Sequence, residues 1–222
     1  MTVRDDLEGR PAAVLFDVDN DVRPKAVLFD VGNVVVRWDP ATLYSKIFPD
    51  SAERERFLRE VCTMAWHGET DRGLSFGDNI AKLSAQHPHH AEAIAAWWAR
   101  WPEMFSGTIP QTEAAIEALH ARGVPIYGLT NMSIEAWPGV QAMSPAFSRF
   151  TDTIVSAAEG VIKPEPRIYE IVLERSGLMP QDFLFVDDNR PNIDAAEALG
   201  FHTLHFTDPD ALMPTLERHG LL

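Results

Sequence analysis

Four segments of this chain end on residues suited to holding an anion beside a cation. Phe185-Val186-Asp187-Asp188-Asn189 is an apolar run that stops on two adjacent carboxylates. Far upstream, Val27-Leu28-Phe29-Asp30-Val31-Gly32-Asn33 stops on one. Gly128-Leu129-Thr130-Asn131 and Lys163-Pro164 lie between them. In chain order these segments supply a carboxylate, a hydroxyl, an ammonium and a carboxylate pair. Carboxylate oxygens suit a hard divalent cation, while a hydroxyl and an ammonium suit a phosphate group.

Each group alone has a plainer reading. An Asp after a strand commonly closes a turn or caps a helix, and a Lys before Pro is commonly a solvated loop residue. Asp187-Asp188 could equally start the helix that follows, and Thr130-Asn131 could form a turn. Position argues for a shared site, because all four fall where buried strands or loops are predicted to end.

Short apolar runs at 26–31, 124–130, 153–156, 183–187 and 202–206 predict strands, and 112–122, 165–176 and 191–199 predict helices between them. Continuous rather than alternating hydrophobicity is what strands covered on both faces need. The alternation therefore predicts an α/β fold with a doubly wound parallel sheet. Ligands in such sheets sit beyond the carboxyl ends of the strands, where Asp30, Thr130 and Asp187-Asp188 would converge.

Residues between 38 and about 108 show no convincing strand and read as helices at roughly 41–48, 52–64, 75–86 and 89–105. Ser51 and Ser75 are the expected N-caps. The organisation expected is an extension at 1–24, an α/β core at 25–38 and 108–222, and a small all-α lobe at 39–107. Trp97, Trp98 and Trp101 should pack that lobe, and Pro209 after Asp208 should open a last helix. The word Val-Leu-Phe-Asp-Val occurs at both 14–18 and 27–31. Only residues 18–25 separate Val18 from the second apolar run, too few for a crossover helix. Asp30 rather than Asp17 is therefore expected at the site.

With these residues in order, the chain resembles the haloacid dehalogenase superfamily, which is dominated by phosphatases. Members carry Asp at the end of the first strand, Ser or Thr at the end of the second, Lys before the fourth and an acidic pair at its end. The helical insertion resembles the α-helical cap of that family. Phe29-Asp30-Val31-Gly32-Asn33-Val34, Arg72-Gly73 and Asp187-Asp188-Asn189 resemble bacterial α-glucose-1-phosphate phosphatases, near the phosphatase domain of soluble epoxide hydrolase. The resemblance implies that Asp30 attacks phosphorus and forms an aspartyl-phosphate that water hydrolyses. It implies Mg²⁺ held by Asp30, the Gly32 carbonyl and Asp188. Asp187 would orient the loop, and Asn192 would hold a metal-bound water. The Thr130 hydroxyl and the Asn131 N–H would bind phosphoryl oxygens, and Lys163 would neutralise the developing charge.

The chain departs from that pattern at Gly32, where most such phosphatases have a second Asp that protonates the leaving oxygen. Two readings stay open. An anomeric sugar phosphate would need less acid help, or a residue of the helical lobe would supply the proton. Trp66-His67-Gly68-Glu69 and Asp71-Arg72-Gly73 read as a polar loop over the site, with Trp66, His67 and Arg72 as substrate-binding candidates. His67 could donate a proton or hold a hydroxyl, with a surface-loop histidine as the plainer alternative. Arg72 could instead hold the lobe through carboxylates. Trp38 and Trp137 could stack on a sugar, though packing is the plainer role. His87, His89 and His90 read as solvated.

The 222 residues carry a formal charge of −14, which argues against nucleic acid or an anionic membrane as partner. A small phosphorylated molecule is the expected substrate, handled by a monomer or homodimer. Cys62 is alone, no apolar stretch is long enough to span a bilayer, and a cytoplasmic location is expected. The competing functions are a metal-independent 2-haloacid dehalogenase, whose relatives lack the acidic pair, and a catalytically weak binding domain.

Overall fold

The computed structural model describes residues 23–222, so Asp17 and nearly all of the expected 1–24 extension lie outside the described residues. A five-stranded sheet forms the centre, from β1 (Ala26–Phe29), β4 (Ile126–Thr130), β5 (Asp152–Val155), β6 (Phe183–Asp187) and β7 (His202–His205). Its order is β5-β4-β1-β6-β7 and every pairing is parallel. The doubly wound α/β expectation therefore holds. Phe29 pairs with Gly128 on one side and Val186 on the other, which sets the ends of β1, β4 and β6 side by side.

Central position explains the uninterrupted apolar runs. All four residues of β1 are fully buried. Val27 and Phe29 join the core beneath α6 (Pro110–Ala121) and α11 (Leu212–Arg218). Ala26 and Leu28 join the opposite core beneath α9 (Pro166–Ser176) and α10 (Arg190–Ala198). A strand whose successive side chains enter different cores has no polar face to show. Truncating Leu28 to Ala would cost about 2–5 kcal/mol.

Residues 36–108 form a second unit. β2 (Val36–Trp38) pairs antiparallel with β3 (Phe105–Thr108), and α1 (Pro40–Tyr44), α2 (Ser51–Glu60), α3 (Met64–Asp71), α4 (Phe76–Gln86) and α5 (Ala91–Ala99) lie between them. The two-stranded ribbon corrects the expectation of helix to 105. Phe105-Ser106-Gly107-Thr108 has no alternation of its own and is a strand because β2 pairs with it. Asp50 rather than Ser51 caps α2, accepting from the Glu53 N–H at 2.8 Å. Ser75 caps α4 as expected, accepting from Asp78. α3 replaces the expected polar loop, and Thr63 caps it by accepting from the Trp66 N–H at 3.0 Å. Trp97 is fully buried and Trp98 stacks on Phe76 with centroids 4.3 Å apart. Among the described residues no helix is long and apolar enough to cross a membrane.

Candidate active site

A cavity of about 320 Å³ opens between the sheet ends and the helical unit, a size suited to a small molecule. Asp30, Gly32, Thr130, Asn131, Lys163, Asp188 and Asn192 form its sheet wall.

Lys163 organises that wall. Its Nζ donates to the Leu129 carbonyl at 2.8 Å, Asp187 Oδ2 at 2.7 Å and Asp30 Oδ1 at 2.9 Å, so each of its N–H groups meets an oxygen. The Asn131 side chain clamps the Lys163 backbone, donating to its carbonyl at 2.9 Å and accepting from its N–H at 2.8 Å. Asp30 also accepts from the Val31 N–H at 2.6 Å. Asp187 is fully buried and accepts from the Asn189 N–H at 2.8 Å and the Asn192 amide at 3.0 Å. Both oxygens of Asp187 are thus engaged inside the protein, which suits an orienting role. The Asn192 amide nitrogen donates to both oxygens of Asp187, at 3.0 and 3.1 Å, which places it behind the carboxylates rather than between them.

Oxygens of Asp30, Asp187 and Asp188 lie within 4.8 Å of one another. With all three carboxyls ionised, one ammonium would leave two negative charges uncompensated. Burial, together with Asp187 and Asp188, pushes the Asp30 carboxyl up to about 8 against the pull of Lys163. Burial and then Asp187 push Asp188 up as well. Burial pulls the Lys163 ammonium down, but Asp187 and Asp30 outweigh it and hold it above the usual amine range. The ammonium is therefore charged and the carboxylates lack a second cation. An all-oxygen donor set with this charge deficit fits a hard divalent ion.

The opposite wall is built on α3. Met64, His67, Gly68 and Asp71 line the cavity at i, i+3, i+4 and i+7, one face of a helix. Trp38, Trp101 and Phe105 complete it. His67 is buried rather than on a surface loop, with its ring stacked on Trp38 at 5.4 Å and tilted against Trp101 at 5.5 Å. Burial pulls its imidazole down to about 4, so it is neutral.

Two expected substrate contacts lie elsewhere. Trp66 is off the cavity face; its Nε1 donates to the Asn79 carbonyl at 3.3 Å and its ring meets Trp97 edge-on. Arg72 pairs with Glu165 of the core, which leaves the lobe-holding alternative. Trp137 packs edge-on against Phe147. His90 is half-buried, with its ring edge-on to Phe57 at 5.4 Å.

Sequence reasoning missed Asn33, Asp71 and Trp101. Asn33 takes a left-handed φ of 54°, which Asn tolerates. Its Oδ1 accepts from the Trp38 N–H at 3.0 Å, and its side chain hydrogen-bonds Asp188. The i,i+4 spacing of His67 and Asp71 would have exposed the latter had the segment been read as a helix.

The family model for haloacid dehalogenase-like hydrolases matches residues 24–200. The mouse protein acyl-CoA dehydrogenase family member 10 is 28% identical over 76% of this chain, which spans 15% of that protein. The sesquiterpene phosphatase astK of Aspergillus oryzae is 33% identical over 42% of this chain, which spans 47% of that protein. The chain therefore spans half or less of these curated relatives. The fold is shared with HAD family enzyme bt-2542 of Bacteroides thetaiotaomicron, at TM-score 0.66 and 20% identity over 86% of this chain and 98% of that one. That enzyme has also been crystallised with magnesium and inorganic phosphate. The fold is also shared with L-2-haloacid dehalogenase of Xanthobacter autotrophicus, at TM-score 0.61 and 17% identity over 90% of this chain and 84% of that one.

Proposed function

The chain belongs to the haloacid dehalogenase-like hydrolase family, and on that premise we propose that it is a magnesium-dependent phosphatase of small phosphate esters, sugar phosphates in particular. The observation that carries the reading is the cluster at the sheet ends, where Lys163 meets Asp30 and Asp187, and Asp188 adds a third carboxyl within 4.8 Å of both. A phosphate dianion approaching Asp30 would be repelled. Asp30, Asp188 and the Gly32 carbonyl would hold magnesium, which when bound would screen that repulsion. Asp30 attacks phosphorus in line and becomes an aspartyl-phosphate. The Thr130 hydroxyl and Asn131 N–H orient the phosphoryl oxygens, and Lys163 offsets their charge. Water then releases inorganic phosphate.

Support for a sugar comes from the other wall. Trp38 and Trp101 line the cavity, and their Nε1 donors are buried without hydrogen-bond partners among the described residues. A sugar ring offers C–H faces to indole rings and hydroxyl acceptors to their N–H groups. A dehalogenase would need no cation, and the half-buried Asp188 on the cavity wall would then repel an anionic substrate. The test is phosphate release from a panel of sugar phosphates by metal-stripped protein with and without added magnesium. Release that depends on magnesium and falls at least about a thousandfold in Asp30→Asn is expected. Chelator-insensitive halide release with no phosphatase activity would reverse the assignment.

A further inference from the structure

Asp71 is a buried carboxyl that nothing above uses. It lines the cavity with Asp30, Gly32 and Lys163 but belongs to the opposite wall. It is only 7% exposed, and among the described residues its Oδ1 has no hydrogen-bond partner. His67 Nε2 stands 3.7 Å away, beyond hydrogen-bond reach. A buried carboxyl oxygen without a hydrogen bond is costly, so its presence in a cavity wall points to an occupant.

The backbone holds this carboxyl in place. The Asp71 carbonyl accepts from Ser156 Oγ at 2.6 Å, and that Oγ accepts from the Met132 N–H at 2.9 Å. Met132 lies two residues past Thr130, so the end of α3 is tied to the loop expected to bind phosphate. Gly73, at φ 106°, lets the chain leave α3 against core residue Ala157, whose carbonyl would stand 3.1 Å from any Cβ there. Across the cavity Gly32 offers no side chain, and a Cβ built on it would meet no atom within 4 Å.

We propose that Asp71 is the catalytic acid and base of this enzyme, supplying from the helical wall the proton that position 32 cannot. The assignment rests on the phosphatase reading above. As an Asp30 oxygen bonds to phosphorus and the ester P–O bond breaks, the Asp71 O–H passes its proton to the leaving oxygen, releasing an alcohol. The Asp71 carboxylate then takes a proton from water as that water attacks the aspartyl-phosphate, freeing Asp30 and inorganic phosphate. The charged or titratable groups facing it are His67 on its own helix and Lys163 from the sheet. Burial, against the pull of Lys163, pushes the Asp71 carboxyl up to about 7, so it holds a proton near neutrality. Burial holds His67 as the neutral imidazole there, a much weaker acid than the Asp71 carboxyl.

The test compares an aryl phosphate, whose leaving group departs without a proton, with a hexose 6-phosphate, whose leaving group needs one. With magnesium, Asp71→Asn should lose about 10²-fold or more on the hexose ester. On p-nitrophenyl phosphate it should release a burst of nitrophenol stoichiometric with enzyme and then slow, with phosphoryl-enzyme accumulating by intact-protein mass. Gly32→Asp placed in Asp71→Asn should restore hexose ester turnover, because the open space at 32 admits the side chain. Replacing a buried carboxyl whose Oδ1 makes no hydrogen bond should not unfold the protein. Equal loss on both substrates without a burst, no loss on either, or a failure of Gly32→Asp to restore turnover would overturn the assignment. If wild-type protein hydrolyses neither ester with magnesium, the phosphatase reading itself fails and this role falls with it.

Discussion

The two walls of the cavity treat their polar atoms in opposite ways. On the sheet wall Lys163, Asp187 and Asn131 each spend their hydrogen bonds on neighbours within the protein. On the helical wall Asp71 Oδ1, Trp38 Nε1 and Trp101 Nε1 are buried with none among the described residues. A satisfied network fixes its members before any ligand arrives, as a site meant to stabilise developing charge requires. Unsatisfied groups keep their bonds for whatever enters. The sheet wall thus reads as the reacting end and the helical wall as the end that recognises the substrate and exchanges its proton.

Removing Lys163 is the sharpest way to break this contrast. Lys163→Ala leaves Asp30 and Asp187 buried without their shared ammonium. Breaking a buried pair by deleting one partner costs about 3–5 kcal/mol. Urea denaturation of metal-free protein should show a loss of that order, whereas Asp71→Asn on the facing wall should leave stability unchanged or raise it. A Lys163→Ala loss below about 1 kcal/mol would mean that the sheet wall is not preorganised by its network.

A finer cut separates shape from hydrogen bonding on the helical wall. Trp101→Phe keeps much of the apolar ring and removes one orphan donor. A hydrogen bond contributes about 0.5–1.5 kcal/mol, so KM for a preferred sugar phosphate should rise about 2- to 10-fold with kcat little changed. The aryl phosphate, which has no sugar hydroxyls to offer, should show no such rise. A parallel rise for both substrates would assign Trp101 to packing alone.

The sheet wall was largely legible in the sequence because its signal is local. An apolar strand that stops on a polar group announces both the strand and the group it delivers, and Asp30, Thr130 and Asp187-Asp188 all follow that rule. Lys163 sits in a loop before Pro, the setting of a solvated lysine, and only its order between Thr130 and the acidic pair nominated it. The helical wall was legible only in part because its chemistry depends on what neighbours contribute. Met64, His67, Gly68 and Asp71 form one helical face, but Gly68 and two charged residues in eight made the segment look like a loop. β3 was missed because Phe105–Thr108 is a strand only through its partner. Trp101, nominated for packing, also faces the cavity because a short turn, not the expected longer helix, carries it there.

The smallest effect expected is at the joint between the walls. Arg72 reaches from the end of α3 to Glu165, which precedes α9 of the core. Both side chains are about two-fifths exposed, at 41% and 39%, so water screens the pair and its contribution should stay within about 0–1 kcal/mol. The Asp71 carbonyl, by contrast, is bound to a fully buried Ser156. If that buried bond sets the spacing of the walls, Arg72→Ala should lower the denaturation midpoint only slightly and leave hexose ester turnover within about twofold. Ser156→Ala should lose turnover while keeping the nitrophenol burst, since it loosens the helical wall without touching Asp30 or Lys163. If Arg72→Ala proved the more damaging of the two, the exposed ion pair and not the buried hydroxyl would be what holds Asp71 over the site.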